Sequence, residues 1–440
     1  MTDDIRDRFR NLPVDATSQR AFADRGLEAR LVPAADPAFP DWLRAVRRGF
    51  LDTDPTDEQV AATAERAGDR RNTGVYDPTG AMPGIPVGTV ASWGSELSVP
   101  GGAGLPVSAI SAVTVAPTHH RRGIARAMLE GELRAAAAAG YPASVLTVSE
   151  STLYGRYGFA PAAAAASWRI EPRRAGWVGP EPTGRVDFIT RERFRELAPA
   201  LHDRVRLATP GEIEMPAGHW DRFARTRPDA EKAAELRAVQ WTSDAGAVEG
   251  VAIYTVAEDH DDYTKSKVDI SYLLAATPPA YTALWRFFLT LDLIGEVTAR
   301  ELSEDEPLLW MLADQRAATV TVTDHQYVRI IDVAAALEAR RFDAPGRLAF
   351  EVSDPIGLST GRHLLEVDQT GTGRVSTWEG EAAPSDAVLV RLGIAELSAV
   401  YLGGASPLTL ARAGRVESTD AAAAARVLGW HVRPRLSFWY

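Results

Sequence analysis

Cysteine is absent from this 440-residue chain. Its absence excludes disulfides, thiol nucleophiles and cysteine-held zinc together, and nothing demands an oxidising compartment. No uninterrupted apolar run approaches the ~20 residues of a membrane-spanning helix. The first 25 residues are polar and charged without an apolar centre, so they are not a secretory signal and read as a mobile extension, residues 1–26. Positive charge is also short. Lys and Arg number 48 against 59 Asp and Glu, a formal net charge of −11. That excludes a general nucleic-acid surface. It fits either a cationic substrate or acidity kept for solubility. Repeats and long low-complexity tracts are lacking. His119 and His120 are adjacent, hence on opposite sides of an extended chain, and make poor joint metal ligands. No metal is expected.

The composition that remains is that of a folded chain. It is 45% hydrophobic with 11 tryptophans, and the length predicts two to four domains. The stretch 111–126 organises the rest. Its first part, 111–116, is β-branched and small and stops at Pro117, as a strand does. Its last part opens a run of Ala, Leu, Met, Glu and Arg, residues 124–139, a helix ended by Gly140 and Pro142. A basic turn with Gly123 joins them. Exposed N–H groups and the positive helix end beside small residues form a site for a phosphorylated ligand.

The flanking pattern predicts a strand at 27–32 and helices at 36–50 and 58–68. Strands follow at 74–77, 87–92, 106–115 and 143–148. Residues 149–160 carry Tyr154-Gly-Arg-Tyr-Gly-Phe159 on a short helix or turn. Residues 161–166 are Ala-rich and featureless, 168–170 read as a last strand, and 173–184 as a linker. A second unit has strands at 186–190, 248–256, 268–274, 297–298 and 318–323, with helices at 191–207 and from Pro278. The turn that should match the basic one is Ala276-Thr-Pro-Pro-Ala280, whose prolines remove N–H donors. A third unit reads as a strand at 327–332, a helix at 333–341, a three-strand meander at 348–378 and helices at 394–402, 407–413 and 420–428.

His120-Arg-Arg-Gly-Ile-Ala125 resembles motif A of the GNAT acetyltransferases, Arg/Gln-x-x-Gly-x-Gly/Ala, with histidine at the first position. Tyr154-Gly-Arg-Tyr-Gly-Phe159 resembles their Tyr-x-x-x-Gly-Phe segment. With Val113-Thr-Val-Ala-Pro-Thr-His119, Val328-Arg-Ile330, Ala335-Ala-Leu-Glu-Ala-Arg340 and Tyr401-Leu-Gly403, the chain resembles the Eis (enhanced intracellular survival) acetyltransferases from about residue 31 to its end. The resemblance implies a fold of tandem GNAT domains, the second degenerate and binding no CoA, before an α+β domain like a sterol carrier protein. The domains would be 27–172, 185–325 and 326–440.

It further implies acetyl-CoA as donor. Contacts would come from Val113, Thr114 and Val115, from Arg121, Arg122, Gly123, Ile124, Ala125 and Arg126, and from Ser149 and Glu150. Tyr154 would be the general acid and the terminal carboxylate of Tyr440 the general base. Amine acceptors such as aminoglycoside-like polyamines or lysine side chains, a homo-hexamer and a cytoplasmic location are also implied. Asp52, Ala112 and Trp439 stand where the family meets its acceptor. Ala112 replaces a large aromatic, and Trp439 a residue that is sometimes acidic, so acceptor binding is expected to differ. Independently, the chain ends Leu-Ser-Phe-Trp-Tyr440, and an aromatic end gains ~1.5–3 kcal/mol per large side chain it buries, so it should dock rather than fray. The competing reading is an acyl-CoA sensor or lipid carrier without turnover.

Overall fold

A computed structural model describes residues 2–227, 230–379 and 382–440. The chain forms two compact units. One holds the chain to Ala162, Gln326–Val432 and Tyr440; the other holds Ala163–His325 and Arg433–Trp439.

The first unit opens with α1 (Thr2–Asn11) and α2 (Ala16–Ala23), then β1 (Glu28–Leu31), α3 (Phe39–Gly49) and α4 (Asp57–Arg66). Strands β2 (Arg71–Tyr76), β3 (Gly88–Val99) and β4 (Ala103–Val115) precede α5 (Ile124–Ala139), β5 (Ala143–Thr147) and the single turn α6 (Ser151–Tyr154). The sheet order is β1-β2-β3-β4-β5, antiparallel except for the β4–β5 pair. Residues 326–330 lie antiparallel along the other edge of β5. Helix α5 covers the sheet with Ile124, Met128, Leu129 and Leu133, all buried, and Gly140 ends it at φ +93°, a C-cap conformation that glycine adopts without penalty.

Among residues 1–26, the described residues 2–26 are not the mobile extension that their polarity predicts. Phe9 and Phe22 are each 1% exposed and join the core cluster that holds Ile124, Met128 and Leu133. Asp15 caps α2 through the Ser18 N–H and pairs with Arg134 of α5 at 2.9 Å. Two buried phenylalanines at opposite ends of a polar segment outweigh its mean polarity.

The second unit continues with β6 (Ala160–Ile170), α7 (Pro172–Ala175), β7 (Arg185–Ile189), α8 (Arg191–Arg206) and α9 (Ala217–Ala224). It proceeds through β8 (Arg237–Thr242), β9 (Val248–Ala257), β10 (Ser266–Ala275), α10 (Pro278–Leu289) and β11 (Ile294–Leu302) to β12 (Ala318–Ile330). Its sheet runs β6-β11-β10-β9-β8-β7 over a core that centres on Trp241, Trp285 and Phe288. Two expectations are corrected. The Ala-rich segment 161–166 is strand, since small side chains there lie under buried neighbours at 0–7% exposure for Ala162, Ala163, Ala165 and Ala166. Residues 318–323 and 327–332 do not form two strands but belong to one, β12, that runs from one unit into the other.

In the first unit the chain then adds α11 (Val333–Ala339), β13 (Gly346–Ser353), β14 (Gly361–Val367), β15 (Gly373–Thr377), β16 (Val388–Gly393), α12 (Ile394–Val400), α13 (Pro407–Arg412), β17 (Val416–Ser418) and α14 (Ala421–Leu428). The meander β13–β15 is extended by β16, parallel to β13, and by β17. Arg329 of β12 ties this segment to the turn after α6. Its Nη2 meets Asp354 at 2.7 Å, both side chains fully buried, and its Nε donates to the Tyr157 carbonyl at 2.7 Å. Gly158 allows that approach: at φ +85° a Cβ would stand 2.5 Å from Arg329 Nε.

Candidate active site

Strand β4 is broken by a bulge. Thr89 pairs with Thr114 and Ala91 with Ser111, so Ala112 and Val113 together oppose Val90. Ala112 takes φ +52°, a strained left-handed conformation for a residue with a Cβ. The bulge re-aims the last turn of the strand. On its other edge β4 pairs with β5 only over Val107–Ile110. Beyond that, among the described residues, the two strands have no paired residues and this edge of 113–115 has no strand partner. Thr114 is held by Thr89, hydroxyl to hydroxyl at 2.7 Å. His120 Nε2 donates to the Val115 carbonyl at 2.9 Å. A cavity of about 400 Å3 reaches Thr114 from the α3 side, lined also by Arg48, Gly49, Asp77, Met82 and His119.

The basic turn follows at once. Arg121 (φ +61°) and Gly123 (φ +74°) both sit in the left-handed region and turn the chain sharply. Among the described residues, the backbone N–H groups of 121–126 meet no acceptor, and α5 has no side-chain cap. Arg121, Arg122 and Gly123 are exposed. Asp77 stands 3.6 Å from Arg122 and 3.0 Å from His119 Nε2. Hydrogen bonds from Thr79 first, then His119, hold its carboxyl well below the usual range. This is a concave run of donors at the positive end of a 16-residue helix, chemistry that fits a diphosphate.

Past β5 the chain presents Ser149 and Glu150, both exposed, and then Tyr154, 5% exposed. Burial raises the Tyr154 phenol above its ordinary value, and a hydrogen bond with Ser149 opposes this. The phenol is therefore a proton donor that stays protonated in mildly alkaline solution. Tyr154 packs edge-on against Phe159 at 6.3 Å. Tyr157 is also buried.

The aromatic end docks, as its composition predicts. Arg435 N–H donates to the Pro210 carbonyl at 2.8 Å, and the Ser437 hydroxyl to Glu212 at 3.0 Å. The Phe438 carbonyl accepts from His325 and the Trp439 carbonyl from Arg222. These contacts lie within the second unit. Tyr440 belongs to the first. Its terminal carboxylate accepts from the Thr147 hydroxyl at 2.7 Å, its ring meets Trp93 edge-on at 5.4 Å, and its buried phenol lies beside Gln326. Tyr154, the terminal carboxylate and the strand edge at 113–115 all belong to the first unit. Asp52 is exposed and paired with Arg47 at 2.7 Å. Trp439 is 41% exposed and lies over His325 at 5.1 Å. Sequence reasoning missed Thr147, Trp93 and Gln326, which receive Tyr440; nothing local marks them, since only the fold brings them to the terminus. Among the described residues no cluster of His, Asp and Glu could hold a metal.

Comparison with known proteins agrees with this geometry. Residues 30–162 match the Acetyltransferase (GNAT) domain, residues 211–330 match a second Acetyltransferase (GNAT) domain, and residues 333–437 match the Sterol carrier protein domain. The chain is 36% identical over 402 residues to an uncharacterised N-acetyltransferase of Streptomyces avermitilis, covering 89% of this chain and 93% of that one. It is 33% identical over 356 residues to the N-acetyltransferase Eis of Mycobacterium tuberculosis, 78% of this chain and 82% of that one. The crystal structure of Eis1 from Mycobacterium abscessus superimposes with a TM-score of 0.78 at 25% identity, over 94% of this chain and all of that one. With two GNAT domains, a sterol-carrier-like domain and relatives of that name matched over most of their length, the chain belongs to the Eis family of GNAT N-acetyltransferases.

Proposed function

We propose that this protein moves an acetyl group from acetyl-CoA directly to an amine, with Tyr154 as general acid and the Tyr440 carboxylate as general base. The observation that carries the reading is the seat of the chain terminus: a carboxylate hydrogen-bonded to Thr147, the last residue of β5, on the strand beside the unpaired edge of β4. The N–H donors of 121–126 take the diphosphate, with Arg121, Arg122 and Arg126 supplying charge, and the 113–115 edge takes the pantetheine arm. Ser149 and Glu150 border the thioester end. The amine must lose a proton to become nucleophilic. Its nitrogen bonds to the thioester carbonyl carbon, and the carboxylate of Tyr440 takes the proton. Backbone N–H donors at the bulge, near Ala112 and Val113, steady the oxyanion. The carbon–sulfur bond then breaks and Tyr154 protonates the sulfur.

The acceptor is a polyamine of the aminoglycoside kind or a lysine side chain, met by Asp52, by the small Ala112 and by Trp439. The active form is a homo-hexamer, supported by apolar side chains left in solvent, Trp310 at 77% and Val178 at 62% exposed on hydrogen-bonded neighbouring segments. A location in the cytoplasm fits; no helix among the described residues is long and apolar enough to cross a membrane. The test is a pair of variants. Tyr154→Phe should lower kcat by about 10²-fold or more, the usual weight of a general acid, with acetyl-CoA affinity retained. Removal of Tyr440 should abolish turnover in the same way. Unchanged rates in both would remove the assigned acid and base.

A further inference from the structure

Residues 2–26 lie outside the matched GNAT domain, which begins at residue 30, yet they are built onto the helix that starts at the basic turn. The Ser18 hydroxyl donates to the Ala127 carbonyl at 2.7 Å, in the first turn of α5, and is buried there. Gly131 permits this closeness, since a Cβ on it would meet Ser18 Oγ at 2.5 Å. Asp15, the cap of α2, bonds Arg134 one turn further along α5. Helix α2 is thus held in register along the first half of α5. It ends there, and the chain reverses at Gly26 (φ +67°).

That reversal delivers Arg25. A Cβ built on Gly123 would stand 3.4 Å from Arg25 Nη2 and 3.6 Å from its Nε. Arg25 Nη1 is tethered to the Ala21 carbonyl, which leaves the other edge of the guanidinium over the turn. The Arg25 carbonyl accepts from Arg122 Nη2 at 3.4 Å, so the two segments are linked. Among the described residues no carboxylate pairs with Arg25; its contacts are the Ala21 carbonyl and, through its own carbonyl, Arg122. A cation held against the unpaired N–H groups of a helix start is electrostatically unfavourable without an anion between them.

We infer that Arg25, carried by the N-terminal helices, is a phosphate ligand of the donor nucleotide, set beside Arg122 over the basic turn. The inference rests on the acetyl-CoA reading above. The anion is a phosphate of CoA, either of the diphosphate or the 3′-phosphate, and a guanidinium suits both.

The test is steady-state kinetics of the full chain with Arg25→Ala and Arg25→Lys. Arg25 is exposed, so neither change should disturb folding. Arg25→Ala should raise KM for acetyl-CoA about tenfold, as loss of a charge-assisted hydrogen bond does, with kcat and the acceptor KM within about twofold. Arg25→Lys should recover part of the loss. Repeating the comparison with dephospho-CoA as competitor identifies the phosphate: a gap between wild type and Arg25→Ala that disappears points to the 3′-phosphate, one that persists to the diphosphate. An acetyl-CoA KM unchanged in Arg25→Ala would overturn the assignment while the donor site stands. A wild-type chain that neither binds nor turns over acetyl-CoA would instead overturn the reading on which it rests.

Discussion

Tyr154 shows how burial sets a residue's use. Desolvation disfavours phenolate, so its pKa moves above the ordinary value of 10.0. The sign follows directly: in the proposed role the neutral acid is the competent form, and it persists to a higher pH than in a free tyrosine. The alkaline limb of kcat that belongs to Tyr154 should therefore fall above the ordinary tyrosine pKa and vanish in Tyr154→Phe. A Tyr154-dependent limb below that value, measured in pH–rate profiles, would contradict a buried donor. Tyr440 is held in a different way, by its ring against Trp93 and its carboxylate on Thr147.

Elements combine to hold the turn that carries Tyr154. Strand β12 supplies Arg329, the segment after β13 supplies Asp354 and Ser359, and both bind the same guanidinium. Through Nε the guanidinium fixes the carbonyl of Tyr157, three residues beyond Tyr154. Removing one partner leaves the other buried and unpaired. Asp354→Ala should cost about 3–5 kcal/mol, as broken buried pairs do, read as a lower denaturation midpoint in urea. Because the anchor also sets the Tyr157 carbonyl, kcat should fall further than the unfolded fraction explains. A destabilised variant with full specific activity in its folded fraction would restrict Arg329 to a structural role. Gly158 belongs to the same device, for any side chain there collides with Arg329.

At the scale of the whole molecule, the exposed apolar surface of the second unit calls for a cover. Single exposed apolar residues are ordinary, but Trp310 and Val178 lie on segments joined by the Val178 N–H to the Met311 carbonyl, and Trp310 is largely in solvent. Light scattering of the full chain should give a hexamer mass, and Trp310→Glu should shift it to smaller species. A wild-type monomer would remove the assembly from the proposal.

Much of this was legible in the chain itself. The strand, basic turn and helix of 111–139 follow from β-branching, Pro117, Gly123 and an Ala-rich run, which are local signals. The docking of the aromatic end follows from its hydrophobicity. The start of the helix at the prolines 278 and 279 is local as well: α10 begins at Pro278 with Thr277 as its cap. Other features needed the fold. The bulge at Ala112 is a matter of register between two strands. The role of residues 2–23 depends on two phenylalanines finding a core over a hundred residues away, which no window of polar sequence reveals. The placement of the terminal carboxylate on Thr147 joins residues 293 apart in sequence. Local chemistry determined which elements form and where charge is offered; long-range packing alone decided which of those groups meet.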